Sequence, residues 1–299
     1  MSAVWLEQRE RGSLFAMKSG VRILLGVGHS VGRLLIIPAC AYFFVSSRRA
    51  RIASRAYLGR ALGRPARLMD VLRHYLTFAK TLQDRVYFLA GRGAEFSIEQ
   101  HGLAALDHAL AQGRGCLLLG AHLGSFEVLR NVGALQRKLP VNVLLYPDNA
   151  SNADVVAGDL CPELKERVIP LGRPDTLLRV HECLERGEIV GILGDRALKS
   201  DRTLRCDFFG APATFPQGPL LLASILKAPV VLFFGLYEGG RRYSIHFEAF
   251  AYELQIARKE RSAQLQPWIA RYAARLEHYC RRAPYNWFNF YDFWRVHPR

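Results

Sequence analysis

Cys116-Leu117-Leu118-Leu119-Gly120-Ala121-His122-Leu123-Gly124-Ser125-Phe126-Glu127 is the stretch on which the fold turns. Its opening apolar run does not alternate with polar residues, which is the pattern of a strand covered on both faces. Two glycines then bracket a polar turn, and from Ser125 to Lys138 apolar residues recur at helical spacing. Strand, turn and helix follow one another within a single unit. The same texture continues outward, with strands expected at Cys116–Gly120, Val141–Tyr146, Glu188–Leu193, Pro229–Leu236 and Arg242–Phe247. Helices are expected at Ser125–Lys138, Ala153–Arg167, Asp175–Arg186, Pro216–Leu226 and Glu260–Arg281. Strands alternating with helices of this length predict an α/β domain, a central sheet flanked by helices, over residues 93–299.

Residues 1–92 have a different character. The chain of 299 residues carries 41 Lys and Arg against 26 Asp and Glu, a formal charge of +15. Sixteen of the basic and four of the acidic residues lie before residue 93, so +12 of the excess is N-terminal and +3 belongs to the rest. The apolar stretch Ile23 to Val45 is interrupted by His29, Arg33 and Pro38. Its longest uncharged part, Leu34 to Ser47, falls short of the ~20 residues of a bilayer span. Glu7 and Glu10 ahead of it argue against a signal peptide. Arg48, Arg49, Arg51, Arg55, Arg60, Arg64 and Arg67 follow, each contributing on the order of 1 kcal/mol near an anionic leaflet. Apolar insertion plus a polybasic flank supplies the two signals that stable membrane attachment requires. We therefore read residues 1–92 as a membrane-associated helical region lying in the interface. Pro65 marks the start of a further helix, and leucines recur from Leu58 to Leu82. A buried core helix and a nucleic-acid-binding stripe are the competing readings, the latter without any recognisable motif. Six cysteines with no CxxC pair fit neither a zinc ligand set nor a disulfide framework.

Two short motifs mislead. Gly28-His29-Ser30-Val31-Gly32 matches the G-x-S-x-G string, but no earlier sheet precedes it to supply an oxyanion loop. Gly26-Val27-Gly28 with Gly32 misses the dinucleotide spacing by one residue. The plainer reading places Gly28 and Gly32 on one helix face.

The chemistry gathers around His122 and Glu127, which follow a buried strand, sit among glycines and open a helix. Carboxyl ends of strands are where α/β proteins commonly place ligands. Gly120 and Gly124 would let a substrate approach the backbone. A neutral imidazole suits proton removal from a hydroxyl, with a nearby carboxylate orienting it. A capping or core histidine is the alternative. Gly194-Asp195-Arg196 follows another apolar strand and either positions a polar substrate or forms an ion pair. Ala213-Thr214-Phe215-Pro216-Gln217-Gly218-Pro219 is a turn into a helix whose first N–H groups, at Gly218, suit an anion.

The order and spacing of His122-Leu123-Gly124-Ser125-Phe126-Glu127, Gly194-Asp195-Arg196, Phe208-Phe209-Gly210 and Thr214-Phe215-Pro216-Gln217-Gly218 resemble the lysophospholipid and lipid A acyltransferase superfamily, whose hallmark is H-x4-D/E. The nearer resemblance is to the lipid A biosynthesis lauroyl and myristoyl transferases, and Pro284-Tyr285-Asn286-Trp287 is similar to their C-terminal ending. The resemblance implies a glycerolipid acyltransferase-like mixed sheet, with His122 as general base and Glu127 as its orienting partner. It makes Asp195, Arg196 and Gly218 substrate-binding. It implies a fatty acyl thioester donor, on acyl carrier protein or CoA, a lipid or glycolipid acceptor hydroxyl, no metal and no cofactor. The place of action would be the cytoplasmic face of the cell inner membrane, with no nucleic acid involved. The sequence departs from the pattern at Pro147 after Tyr146, in the inner residues of the histidine motif and at Arg196. Those departures leave the acceptor open between a lipid A precursor, an aryl-polyene pigment and another membrane lipid. A non-catalytic membrane- or nucleic-acid-binding protein is the reading from another class.

Overall fold

The computed structural model describes residues 13–132, 140–146, 152–198, 201–257 and 259–294. Seven strands form one mixed sheet: β1 (Ser97–His101), β2 (Cys116–Gly120), β3 (Val141–Leu145), β4 (Val168–Pro170), β5 (Ile189–Leu193), β8 (Val230–Gly239) and β9 (Arg242–Ala251). Their order is β1-β9-β8-β2-β5-β3-β4, and β8 with β9 is the antiparallel pair among parallel neighbours. β2 is fully buried along its length, as a strand with helices on both faces must be. Of the remaining strands, β6 (Thr203–Phe208) and β7 (Ala211–Pro216) make a separate hairpin. Its two-residue turn, Phe209-Gly210, has positive φ at both positions, the geometry that matches strand twist.

The helices over the sheet are α5 (Leu103–Leu110), α6 (Glu127–Val132), α7 (Asn152–Leu160), α8 (Pro162–Arg167), α9 (Thr176–Glu185), α10 (Gly218–Leu226) and α11 (Arg261–Arg282). The helix expected over Ala153–Arg167 is divided at Cys161, because Pro162 has no N–H to continue the ladder. Pro216, expected to open a helix, instead closes β7, and α10 starts two residues later. The part of the expected helix at 133–138 lies outside the described residues.

Ahead of the sheet come α1 (Leu14–Val27), α2 (His29–Ser46), α3 (Arg48–Ala61) and α4 (Leu68–Leu89). Gly28, at φ +83°, turns the chain between α1 and α2, so it does not share a helix face with Gly32 as the sequence suggested. Gly32 does pack closely, and a Cβ there would lie 2.5 Å from Gln83 Nε2. α2 runs antiparallel along α4, from His29 beside Asp84 to Phe44 against Tyr75. Buried Asp84 accepts from His29 Nε2 (2.8 Å), Arg33 Nη2 (2.7 and 2.8 Å) and the Tyr243 hydroxyl of β9 (2.8 Å). One carboxylate thus joins α2, α4 and the sheet. The outward face of α2 stays apolar and open, with Leu34 66% and Val45 74% exposed. Among the described residues, α2 is the one helix long and apolar enough to cross a membrane.

Candidate active site

β2 and β5 are parallel neighbours, with Gly120 opposite Leu193. Two residues beyond that pair on each strand come His122 and Asp195. Adjacent strands lie about 4.8 Å apart, so equal overshoot brings the two side chains together. The ring Nδ1 of His122 lies 2.8 Å from Asp195 Oδ1, and the main-chain N–H of His122 donates to the same oxygen at 3.1 Å. The remaining oxygen, Oδ2, accepts from the indole Nε1 of Trp287 at 2.9 Å. A carboxylate only accepts, so Nδ1 carries the proton and the lone pair sits on Nε2. His122 is one-third exposed whereas Asp195 is 1% exposed.

The electrostatics follow from that placement. Burial, and next the positive charge of Arg196, lower the His122 pKa below 6.5 despite Asp195. The ring is therefore neutral at pH 7. Burial alone would raise the Asp195 carboxyl, but His122, Arg196 and the Trp287 N–H outweigh it and bring it down to about 2.

Glu127 stands elsewhere. It begins α6 and its Oε1 lies 2.6 Å from Arg85 Nε of α4. Among the described residues the hydrogen bonds of the His122 side chain go to Asp195. The carboxylate hydrogen-bonded to the ring is thus Asp195, and Glu127, expected beside it, pairs with Arg85. Arg196 donates from Nη2 to the Phe288 carbonyl (2.9 Å) and stands over the Tyr291 ring (5.8 Å). Gly218 is the first residue of α10, where a Cβ would meet nothing within 4 Å. Its neighbours Pro216 and Pro219 line a void of about 10 Å³ together with Gly194, Leu119 and Tyr272.

The glycines around His122 serve packing rather than substrate approach. Gly124 has φ +68°, and a Cβ on it would come within 1.8 Å of the Gly235 carbonyl of β8. At Gly120 the nearest atoms are the Phe233 carbonyl and Leu193, again protein. The Gly120 carbonyl ends β2 and accepts from Gly194 N (2.9 Å) and the Tyr272 hydroxyl of α11 (2.7 Å).

The C-terminal segment completes the site. Phe288 N donates to the His122 carbonyl (2.9 Å) and Gly124 N to the Asn286 carbonyl (2.8 Å). The Asn286 side chain also grips β8, its Oδ1 accepting from Tyr237 N at 2.7 Å. In the sequence, Trp287 is marked by a resemblance alone, with no task attached. The available signal was an aromatic run late in a basic chain, which by itself says only that the segment is buried.

A family model described as bacterial lipid A biosynthesis acyltransferase matches residues 69–296. The chain belongs to that family. No curated protein matches it.

Proposed function

We propose, with that family as premise, that the chain is a membrane-attached O-acyltransferase. It moves a fatty acyl group from a thioester, on acyl carrier protein or CoA, to a hydroxyl of a lipid A precursor-like acceptor. The observation that carries the reading is a neutral imidazole at the end of β2, its Nδ1–H given to a buried carboxylate and its Nε2 left with a lone pair.

In the proposed reaction, His122 Nε2 takes the proton of the acceptor hydroxyl as that oxygen attacks the thioester carbonyl. Asp195 stabilises the imidazolium that forms. Arg196, whose charge already acts on both groups, favours the negative charge of the tetrahedral intermediate. The C–S bond then breaks, the sulfur takes the proton back from His122, and an ester and a free thiol leave. Glu127, paired with Arg85, ties α6 to α4 at the edge of the loop. In this reading the start of α10 at Gly218 is a further substrate contact.

The attachment is interfacial in this reading. α2 packs along α4, and α4 carries Arg73, Lys80, Asp84 and Arg85, so the pair lies flat with the apolar face of α2 in the lipid. Phe78 of α4 touches Phe288 and Phe290, which places that surface beside the segment that closes the site. A membrane-borne acceptor reaches His122 from there, at the cytoplasmic face of the inner membrane where thioester donors are made.

His122→Ala should abolish acyl transfer while folding and vesicle binding persist. Retained transfer would remove the mechanism. Mass spectrometry of lipids from a deletion strain identifies the acceptor, and unchanged lipid A acylation would transfer the role to a pigment or another membrane lipid.

A further inference from the structure

We infer that Trp287 is a positioning residue for the catalytic pair, and that it links the placement of α3 and α4 to His122. The inference deepens the proposed function and rests on His122 being the base. Trp287 is 1% exposed, packed against Tyr57, Phe208 and Phe293. Its indole N–H and its main-chain carbonyl are both in use. The indole N–H holds Asp195 Oδ2 at 2.9 Å, and the carbonyl accepts from His74 Nε2 at 2.9 Å. A carbonyl only accepts, so His74 carries its proton on Nε2 and its Nδ1 accepts from Ser54 Oγ at 2.8 Å. Ser54 lies on α3 and His74 on α4, and both are fully buried.

A chain of contacts therefore runs from Ser54 through His74, Trp287 and Asp195 to His122, entering Trp287 at its carbonyl and leaving from its indole N–H, with each hydrogen bond 2.8 or 2.9 Å. Every donor and acceptor role along it is fixed by the chemistry of the carbonyl and the carboxylate. The bridge between Leu123 and Trp287 holds the histidine loop to the same segment. Trp287 does two things to Asp195. It selects one carboxylate rotamer, leaving Oδ1 for the imidazole, and it withdraws charge from the carboxylate through a charge-assisted hydrogen bond.

The second effect makes the inference measurable. Without the indole N–H, Asp195 stabilises imidazolium more strongly, so the His122 pKa rises. The charged and titratable groups facing the pair are Arg196, Tyr272 and Cys280 of α11, and Tyr291. Burial raises the pKa of both tyrosines and of Cys280. His122 is thus the group in this cluster whose midpoint, held below 6.5 by burial and Arg196, the test follows.

The test is NMR titration of ¹³C-histidine-labelled full-length protein in detergent, with His122→Gln to assign the resonance. Trp287→Phe should move the His122 midpoint up by about 0.5–1 pH unit. It should lower kcat for acyl transfer roughly tenfold, with the KM for the thioester within about twofold. His74→Leu should move the midpoint the same way by less. His74→Gln, able to donate to Trp287 and accept from Ser54, should restore it. An unmoved midpoint in Trp287→Phe, with only a lower unfolding temperature, reduces Trp287 to packing and overturns the inference. Should Trp287→Phe not fold, the two His74 variants decide, and a His74→Leu midpoint equal to wild type is the overturning result. A wild-type protein that titrates as described yet transfers no acyl group defeats the acyltransferase reading instead.

Discussion

Replacing Asp195 by Asn removes a charge and an acceptor in one step. Three N–H groups converge on the two carboxylate oxygens, the ring and main chain of His122 on Oδ1 and the Trp287 indole on Oδ2. An amide offers one acceptor oxygen, and its NH₂ must face a donor. With the oxygen toward Trp287, the imidazole meets an N–H and adopts the other tautomer, which leaves no lone pair on Nε2. With the oxygen toward His122, the buried indole N–H loses its partner at a cost of about 1–3 kcal/mol. The charge acts separately. An imidazolium and a carboxylate with charge centres about 5 Å apart at an effective dielectric of about 20 interact by about 3 kcal/mol. That alone is on the order of a hundredfold in rate, and the tautomer change extends it to about 10³–10⁴. The assay is a pH–rate profile of acyl transfer from a purified thioester, with the ester product followed by mass spectrometry. Loss of the carboxylate lowers the His122 pKa further, so the acid limb of Asp195→Asn moves to lower pH. Glu127→Gln leaves that limb in place, because Glu127 faces Arg85. A variant keeping more than a tenth of the wild-type rate, or a limb that moves for Glu127→Gln alone, would refute the assignment.

Three further perturbations read other parts of the structure. His74 is buried and neutral with a pKa of about 4 against 6.5 when unfolded, so the unfolded chain binds the extra proton between those values. Stability should fall by about 3 kcal/mol as pH drops from 6.5 to 4, and chemical denaturation of His74→Gln should lack that component. Gly124→Ala combines a positive φ with a 1.8 Å clash against Gly235 and should fail to yield folded protein, whereas Gly218→Ala should unfold within a few degrees of wild type by calorimetry. Leu34→Asp, on the open face of α2, should weaken co-sedimentation with anionic vesicles at least tenfold without changing the unfolding temperature. Equal binding would argue that this face does not enter lipid.

Much of the sheet was legible because burial on both faces leaves an unmistakable texture. Cys116–Gly120 lies where the apolar run placed it, and Ile189–Leu193 differs from expectation by one residue. The short edge strands β1 and β4 were missed, since Ser97–His101 is mostly polar and Val168–Pro170 has three residues. The hairpin β6–β7 was read as motif fragments, although Phe209-Gly210 marks its turn. His122 could be singled out from its own neighbours. Its partner could not, because β2 and β5 pair across two intervening strands, the four helices α6 to α9 and 73 residues, and no local pattern encodes strand order. Trp287, 92 residues beyond Asp195, was out of reach for the same reason.

The strap of residues 284–290 is made after every strand of the sheet, since β9 ends at Ala251. During synthesis the sheet can therefore assemble while His122 still lacks the main-chain bond from Phe288 and Asp195 lacks its indole partner. A ribosome-bound chain holds His122 and Asp195 without the segment that fixes their geometry. Under the proposed mechanism, a product terminated before Phe288 should transfer no acyl group even where its sheet has formed, which an acyl-transfer assay on the truncated chain checks.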